Sequence, residues 1–157
     1  MKQRRQHMIY RKATKQDIPQ LCQIRKQQLI DEGIPPSIDI DKDLLRFFQD
    51  SFQHDTIIEF LAIDNDQIIA TGAVCFYDYP PTFSNQTGRI AYITNMYTKP
   101  AYRRQSIATH MLDLLINEIK KKHIEIVRLG ASQLGKPVYE KYGFQQDNQW
   151  YSLKLDN

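Results

Sequence analysis

Asn95-Met96-Tyr97-Thr98-Lys99-Pro100-Ala101-Tyr102-Arg103-Arg104-Gln105-Ser106-Ile107-Ala108-Thr109 is the stretch on which the fold turns. Its first residues close a β-rich run, Arg89 to Thr98, which Pro100 stops. A short basic loop follows. From Ser106 to His123 the period becomes helical, with Ile107, Met111, Leu114, Leu115 and Ile119 on one face. A helix start leaves its first N–H groups without intrahelical partners. The macrodipole adds partial positive charge there, so the junction suits an anion, phosphate above all. Ser106, Ala108 and Thr109 are small enough to admit a ligand to the backbone. Ser106 and Thr109 offer hydroxyls, and Arg103 and Arg104 offer charge-assisted contacts. On these grounds the segment reads equally as a diphosphate cradle or as a capped helix behind a solvated basic loop.

Outward from this junction, the chain alternates in period. Met8 to Ala13 reads as an opening strand. Thr14 is an N-cap, with Asp17 its acidic partner in the first turn. The helix behind it runs to about Glu32 on a stripe of Ile18, Leu21, Cys22 and Leu29. Gly33 ends it and Pro35-Pro36 forbids its continuation. A second helix spans roughly Lys42 to Gln53, carrying Leu44, Leu45, Phe47, Phe48 and Phe52. Ile57 to Ile63 and Gln67 to Tyr77 are strands joined by Asp64-Asn65-Asp66, a hairpin signal. Asp78 to Gly88 is a polar loop. Beyond the cradle helix come a strand from Ile124 to Leu129, a short helix from Gly135 to Tyr142 stopped by Gly143, and a last strand from Trp150 to Leu155. The order β-α-α-β-β-β-α-β-α-β predicts an α+β domain with a mixed sheet rather than a doubly wound parallel one.

Composition sets the outer bounds. The chain has 157 residues, 41% hydrophobic and 25% charged, the size and balance of one soluble domain over residues 1–157. No apolar run is long enough to span a bilayer. Residues 1–7 are polar and basic with no apolar stretch behind them, which reads as a flexible tail and not a secretory signal. Cys22 and Cys75 sit among apolar neighbours, as small buried side chains in a cytoplasmic setting. The net charge of +3 is too mild to announce nucleic-acid binding. Lys120-Lys121-Lys122 fits a helix C-terminus, where cations are favoured.

The cradle segment resembles the cofactor signature of the GNAT acetyltransferase superfamily, [QR]-x-x-G-x-[GA], through Arg103, Ser106 and Ala108. Ser106 stands where the family most often has glycine. A serine fits that position if its φ is negative. A second stretch, Pro137-Val138-Tyr139-Glu140-Lys141-Tyr142-Gly143-Phe144, resembles the family's late helix and turn, commonly LYEKLGF. Together with the element order, the resemblance covers nearly the whole chain. It implies a mostly antiparallel mixed sheet with helices on both faces, splayed between the fourth and fifth strands.

The resemblance also implies acetyl-CoA as cosubstrate, no metal, and transfer of an acetyl group to a primary amine of a small or amino-acid-like molecule by direct attack on the thioester. The fourth-strand backbone at Met96, Tyr97 and Thr98 would bond the pantetheine and the thioester carbonyl, an N–H there stabilising the oxyanion. The amides of Arg104, Gln105, Ser106, Ile107, Ala108 and Thr109 would hold the diphosphate, with Lys99, Arg103 or Arg104 near the nucleotide phosphate. Tyr139 matches the family's tyrosine facing the CoA sulfur, a phenol able to protonate a leaving thiolate, or else it only packs the short helix. Ser132 stands where an asparagine often bonds the pantetheine, and reads equally as a helix cap. Tyr142 reads as structural.

No acid or histidine lies on the strand from Ile90 to Tyr97. The base is therefore a water held by Tyr92, Thr94 or Asn95, or else Glu59 or Asp78, with His110 a surface histidine. Asp31, Glu32, Asp39, Asp41 and Asp43 make an acidic rim that suits a cationic amine, or simply a solvated helix start. Tyr77, Tyr79, Phe83 and Tyr97 offer an aromatic wall. Competing readings are a non-catalytic acyl-CoA-binding module and, remotely, a nucleic-acid binder. A homodimer is compatible, though no residue marks an interface.

Overall fold

The computed structural model describes residues 8–156. Residues 1–7, read above as a tail, lie outside them. Strand β1 is Ile9–Lys12, followed by a 3₁₀ turn at Lys15–Asp17 and helices α1, Ile18–Asp31, and α2, Asp41–Gln53. Then come β2, Ile57–Asp64, β3, Gln67–Asp78, and β4, Arg89–Thr98. After them run α3, Ile107–Lys121, β5, Ile126–Leu129, and α4, Lys136–Tyr142. The five strands lie in sequence order in one sheet. β1 to β4 pair antiparallel, and β5 joins β4 in parallel.

Local chemistry accounts for the boundaries. Asn65 and Asp66 both adopt positive φ, 49° and 61°, as a two-residue hairpin between twisted strands demands. Gly33, at φ 84°, ends α1 in a Schellman turn, with Gly33 N–H donating to Ile30 O and Ile34 N–H to Leu29 O. Lys120 and Lys121 lie in the last turn of α3, where the dipole favours them.

The sheet separates two cores. On one face Met111, Leu112, Leu115 and Ile119 of α3 pack on Phe60, Val74, Ala91 and Ile93. On the other, Ile18 and Leu21 of α1 and Phe48 of α2 pack on Ile57, Leu61, Ala73 and Cys75. Both cysteines are free, and burial pushes the Cys75 thiol up to about 11. Among the described residues no helix is long and apolar enough to cross a membrane.

β4 and β5 pair only from Ile90↔Ile126 to Ile93↔Leu129. Past Ile93 the outer edge of β4 is open, and the sheet splays there. The same point carries a bulge. Thr71 faces Tyr97 and Ala73 faces Thr94, so Asn95 and Met96 together oppose Gly72. Asn95 sits at φ 53°, and its carbonyl accepts the Thr71 hydroxyl at 2.8 Å. A Cβ at Gly72 would collide with Met111 Cγ and lie 2.7 Å from Met96 Sδ, so glycine leaves room for both methionine side chains opposite the bulge.

One expected strand is absent. Residues 150–155 have no regular structure, and Tyr151, Leu153 and Leu155 are exposed. Period-2 patterning makes a strand only where a partner completes the ladder, and among the described residues no segment pairs with the outer edge of β5. Trp150 instead lies against the Arg128 guanidinium, 4.6 Å from its ring centre.

Asp17 anchors the entry to α1. Arg11 grips its carboxylate with two hydrogen bonds of 2.8 Å, and the Thr14 N–H donates to it at 2.7 Å. The Arg11 bonds foremost hold the Asp17 carboxyl down at about 2, with the Thr14 amide helping against burial. At neutral pH, Asp17→Asn should cost about 1–2 kcal/mol of stability. A depressed carboxyl stabilises fully above its unfolded value, about 3.9, and that stability is lost as pH falls towards the folded one. Urea midpoints of wild type and variant should therefore converge below about pH 4. A gap that stays constant down to pH 2 would mean the ionised carboxylate is not what stabilises.

Candidate active site

The splay and the α3 start lie on one continuous piece of chain, and the backbone between them leaves its donors free. No N–H of residues 104–109 finds an acceptor among the described residues, and the first helical bond here is His110 N–H to Ser106 O. Arg104 and Ser106 both adopt left-handed φ, 62° and 61°. Alternating handedness of this kind turns successive N–H groups to one side and makes an anion nest. The Ser106 hydroxyl makes no capping bond. Its φ is positive, not negative as the sequence reading required, so the serine is tolerated under strain and not because the backbone avoids it.

Arg103 is turned away from this nest. Its Nε donates to Thr98 O at 3.0 Å, and its Nη2 lies 3.5 Å from Asp31 Oδ2. The Tyr97 hydroxyl donates to the same Asp31 oxygen at 3.0 Å. Arg103 thus locks the end of β4 to the end of α1, and Arg104 is the exposed arginine beside the nest. Gln105 Nε2 donates to Ala101 O, Ile107 is buried in the core, and Ala108 and Thr109 face outward.

A polar cleft of about 190 Å³ occupies the splay. Thr94, Asn95 and Met96 line it from β4, Ser132 and Tyr139 from the far side, and Arg25, Gln28 and Glu32 from α1. Tyr139 is buried, its ring over Gly135 and edge-on to Phe144. Its hydroxyl has no partner among the described residues. Burial, with the Glu32 charge adding to it, raises the phenol to about 12. Ser132 Oγ accepts the Gly135 N–H at 3.1 Å, closing the turn that leads into α4 while its own hydroxyl proton stays free for the cleft. Tyr142 donates to Asp113 at 2.8 Å, tying α4 to α3.

Two of these groups escaped the sequence reading. Gln28 is 6% exposed. It accepts Arg25 Nη1 at 3.2 Å and donates to Glu32 Oε1 at 3.1 Å and to Met96 O at 3.2 Å. Arg25, Gln28 and Glu32 continue the spacing of buried Leu21, and this polar run on a core-facing helix stripe was the available signal.

The other base candidates separate clearly. Asp78 pairs with Arg89 at an exposed strand end, and His110 stacks on Tyr10, 4.2 Å between ring centres. Glu59 is 2% exposed on β2 and reaches the clefts only through Asn95, whose Nδ2 lies 3.5 Å from Glu59 Oε2. The acidic rim is largely neutralised: Asp41 pairs with Lys26 and Asp43 with Arg46. The expected aromatic wall does not form, because Tyr97 is on Asp31 and Phe83 projects from its loop. Among the described residues no cluster of His, Cys, Asp and Glu could hold a metal ion.

Comparison with known proteins gives the family and the fold. The acetyltransferase (GNAT) domain model matches residues 9–146, so the chain belongs to the GNAT acetyltransferase family. A predicted acetyltransferase from Clostridium acetobutylicum, crystallised with acetyl-CoA, is 55% identical. It superposes with a TM-score of 0.93, over 94% of this chain and 96% of that one. A GCN5-related N-acetyltransferase from Ralstonia eutropha JMP134 shares the fold at 16% identity and a TM-score of 0.83, over 94% and 98% of the two chains. An aminoglycoside N-acetyltransferase in complex with CoA shares it at 16% identity and a TM-score of 0.77, over 99% of each. No curated protein sequence matches.

Two stability measurements test these local readings. Ser106→Gly should leave the urea unfolding free energy unchanged or raise it by up to about 1 kcal/mol, because glycine removes the strain. Ala108→Gly, inside the first turn, should instead lower it by about 1 kcal/mol. Equal losses in both variants would show that Ser106 is not strained.

Burial pushes the Glu59 carboxyl up to about 8. A carboxyl raised in the fold stabilises fully below its unfolded value, about 4.3, and this advantage erodes as pH rises through the folded one. Glu59→Gln should therefore match wild type near pH 5 and gain about 1–3 kcal/mol near pH 8. A variant that loses stability at pH 8 would show that the ionised form is the one accommodated.

Proposed function

We propose that the protein transfers the acetyl group of acetyl-CoA to the primary amine of a small molecule, by direct attack of the amine on the thioester. One observation carries the reading. An unpartnered phenol, Tyr139, the open edge of β4 at Asn95–Met96, and a carboxylate, Glu32, line a single cleft beside an anion nest.

The residues present fit the cosubstrate. The free N–H groups of residues 104–109 would hold its diphosphate, with Arg104 beside them. The open β4 edge and the Ser132 hydroxyl would hold the pantetheine arm. Acetyl-CoA supplies an activated acyl carbon, so no enzyme nucleophile is needed, and neither cysteine lines the splay.

The proton movements remain. Glu32 is the carboxylate that lines the cleft, and it takes the first proton of the incoming ammonium. The N–C bond forms, the nitrogen gives up its second proton to water, the C–S bond breaks, and the electron pair leaves on sulfur. Tyr139 donates a hydrogen bond to that sulfur. A phenol near 12 stays protonated throughout the neutral range. Complete proton transfer to a thiolate of pKa about 8.5 is uphill, so Tyr139 stabilises the leaving thiolate, which then takes its proton from water.

Tyr139→Phe and Glu32→Gln should each lower kcat by about 10²-fold. Calorimetric titration should find acetyl-CoA binding unchanged in both. Full turnover in either variant removes that residue from the mechanism. Tight acetyl-CoA binding with no CoA release on any amine would leave the non-catalytic acyl-CoA-binding reading instead.

A further inference from the structure

A second cleft, of about 220 Å³, opens off the first between the α1–α2 pair and the sheet. The two share Arg25, Tyr92, Thr94 and Asn95. Leu44, Phe47, Phe48, Tyr77 and Tyr92 form its apolar walls, and no aspartate or glutamate lines it. Its volume is below the roughly 300–1,000 Å³ of pockets for drug-sized ligands, which favours an acceptor of amino-acid size.

Arg25 stands at the junction without a counter-ion. Its guanidinium makes one hydrogen bond, to the neutral amide of Gln28, and no carboxylate lies within ion-pair distance of it among the described residues. A half-buried cation beside aromatic walls is costly unless an anion meets it. The planar guanidinium is suited to a carboxylate, which it can hold with two parallel bonds. Glu59, on the same sheet face, is 2% exposed, bonds the Asn95 amide and makes no ion pair or hydrogen bond with Arg25; burial raises its carboxyl against the pull of the Arg25 charge.

The α1 stripe then has a polarity. Gln28 is fixed on Met96 O, and Arg25 and Glu32 bond opposite ends of its amide. A cation is thereby held at the junction with the apolar cleft, and a carboxylate lies across the Gln28 amide in the adjoining polar one. That is the complement of an ammonium and a carboxylate on one carbon, with a hydrocarbon side chain beyond.

We propose that the acceptor is an α-amino acid with a bulky apolar or aromatic side chain, and that Arg25 is the specificity residue that reads its carboxylate. This rests on the splay cleft being where acetyl transfer occurs. It departs from the cationic acceptor suggested by the acidic rim, because Asp41 and Asp43 already hold Lys26 and Arg46, and Asp31 holds Tyr97 and Arg103.

The test compares CoA release with L-phenylalanine, 2-phenylethylamine, glycine and 1,5-diaminopentane. Phenylalanine should exceed 2-phenylethylamine and diaminopentane in kcat/KM by about 100-fold, since a site built to bond a polar group rejects analogues that lack it, and should exceed glycine by a similar factor through the apolar surface its ring buries. Arg25→Gln should raise the phenylalanine KM and remove its advantage over 2-phenylethylamine, leaving acetyl-CoA binding unchanged. Phe47→Glu changes an exposed wall residue outside the Gln28 contact, and should weaken phenylalanine alone. Equal use of 2-phenylethylamine or diaminopentane by wild type, or an unaltered preference in Arg25→Gln, overturns the proposal. If no amine is acetylated, calorimetry with phenylalanine and the CoA-loaded protein decides. Binding that Arg25→Gln abolishes sustains the acceptor class and removes the transfer reading, whereas no binding removes the acceptor class.

Discussion

The bulge that sets Asn95 and Met96 against Gly72 is the constraint from which the site follows. Thr71 holds it closed by donating to the Asn95 carbonyl, and the missing side chain of Gly72 leaves room for Met96 and Met111 on the α3 face. A bulge bends the strand that carries it, and β4 leaves β5 immediately before this one. The resulting gap is the cleft. The same turn exposes the Met96 carbonyl to Gln28 and aims Asn95 at Glu59, so α1 and β2 are registered on the bulge as well.

The phosphate side and the acceptor side then follow different physics. Around residues 104–109 the free donors are backbone N–H groups, so side-chain identity matters less than handedness. Left-handed φ at Arg104 and Ser106 is tolerated because Arg103 is fastened to Thr98 and Asp31 on one flank, and Ile107 is buried on the other. On the α1–α2 side the backbone is occupied in helices. Selection there falls to side chains, and to the charge that the core leaves uncompensated.

This difference explains what was legible in the sequence. The α3 start, the hairpin at Asn65–Asp66 and the Gly33 stop follow from local rules, and each appears where its residues place it. Tyr139 and Ser132 sit on the cleft because their motif fixes them relative to α4. The strand expected at 150–155 failed because alternation reports a willing surface, not the partner that completes it. The partners of Arg103 were out of view for a related reason. Its charge was visible, whereas Thr98 O and Asp31, which claim it, come from a strand end and a distant helix. Arg25 and Gln28 were passed over because they interrupt an apolar stripe, and Glu32 was read only as part of an acidic rim, since the sequence alone offers no view of the Met96 carbonyl that Gln28 bonds.

Electrostatic compensation links the two sides. Asp31 is drawn off by Tyr97 and Arg103, on the path from β4 to the nest. Glu32, its neighbour in sequence, is left to the cleft. Had Arg103 pointed at the ligand, Asp31 would have been free beside Glu32, and the cleft would have favoured a cation. With Asp31 occupied, Glu32 faces only the neutral Gln28 amide, and Arg25 faces its other end. Arg103, by taking Asp31 together with Tyr97, thus helps set which carboxylates remain beside the cleft.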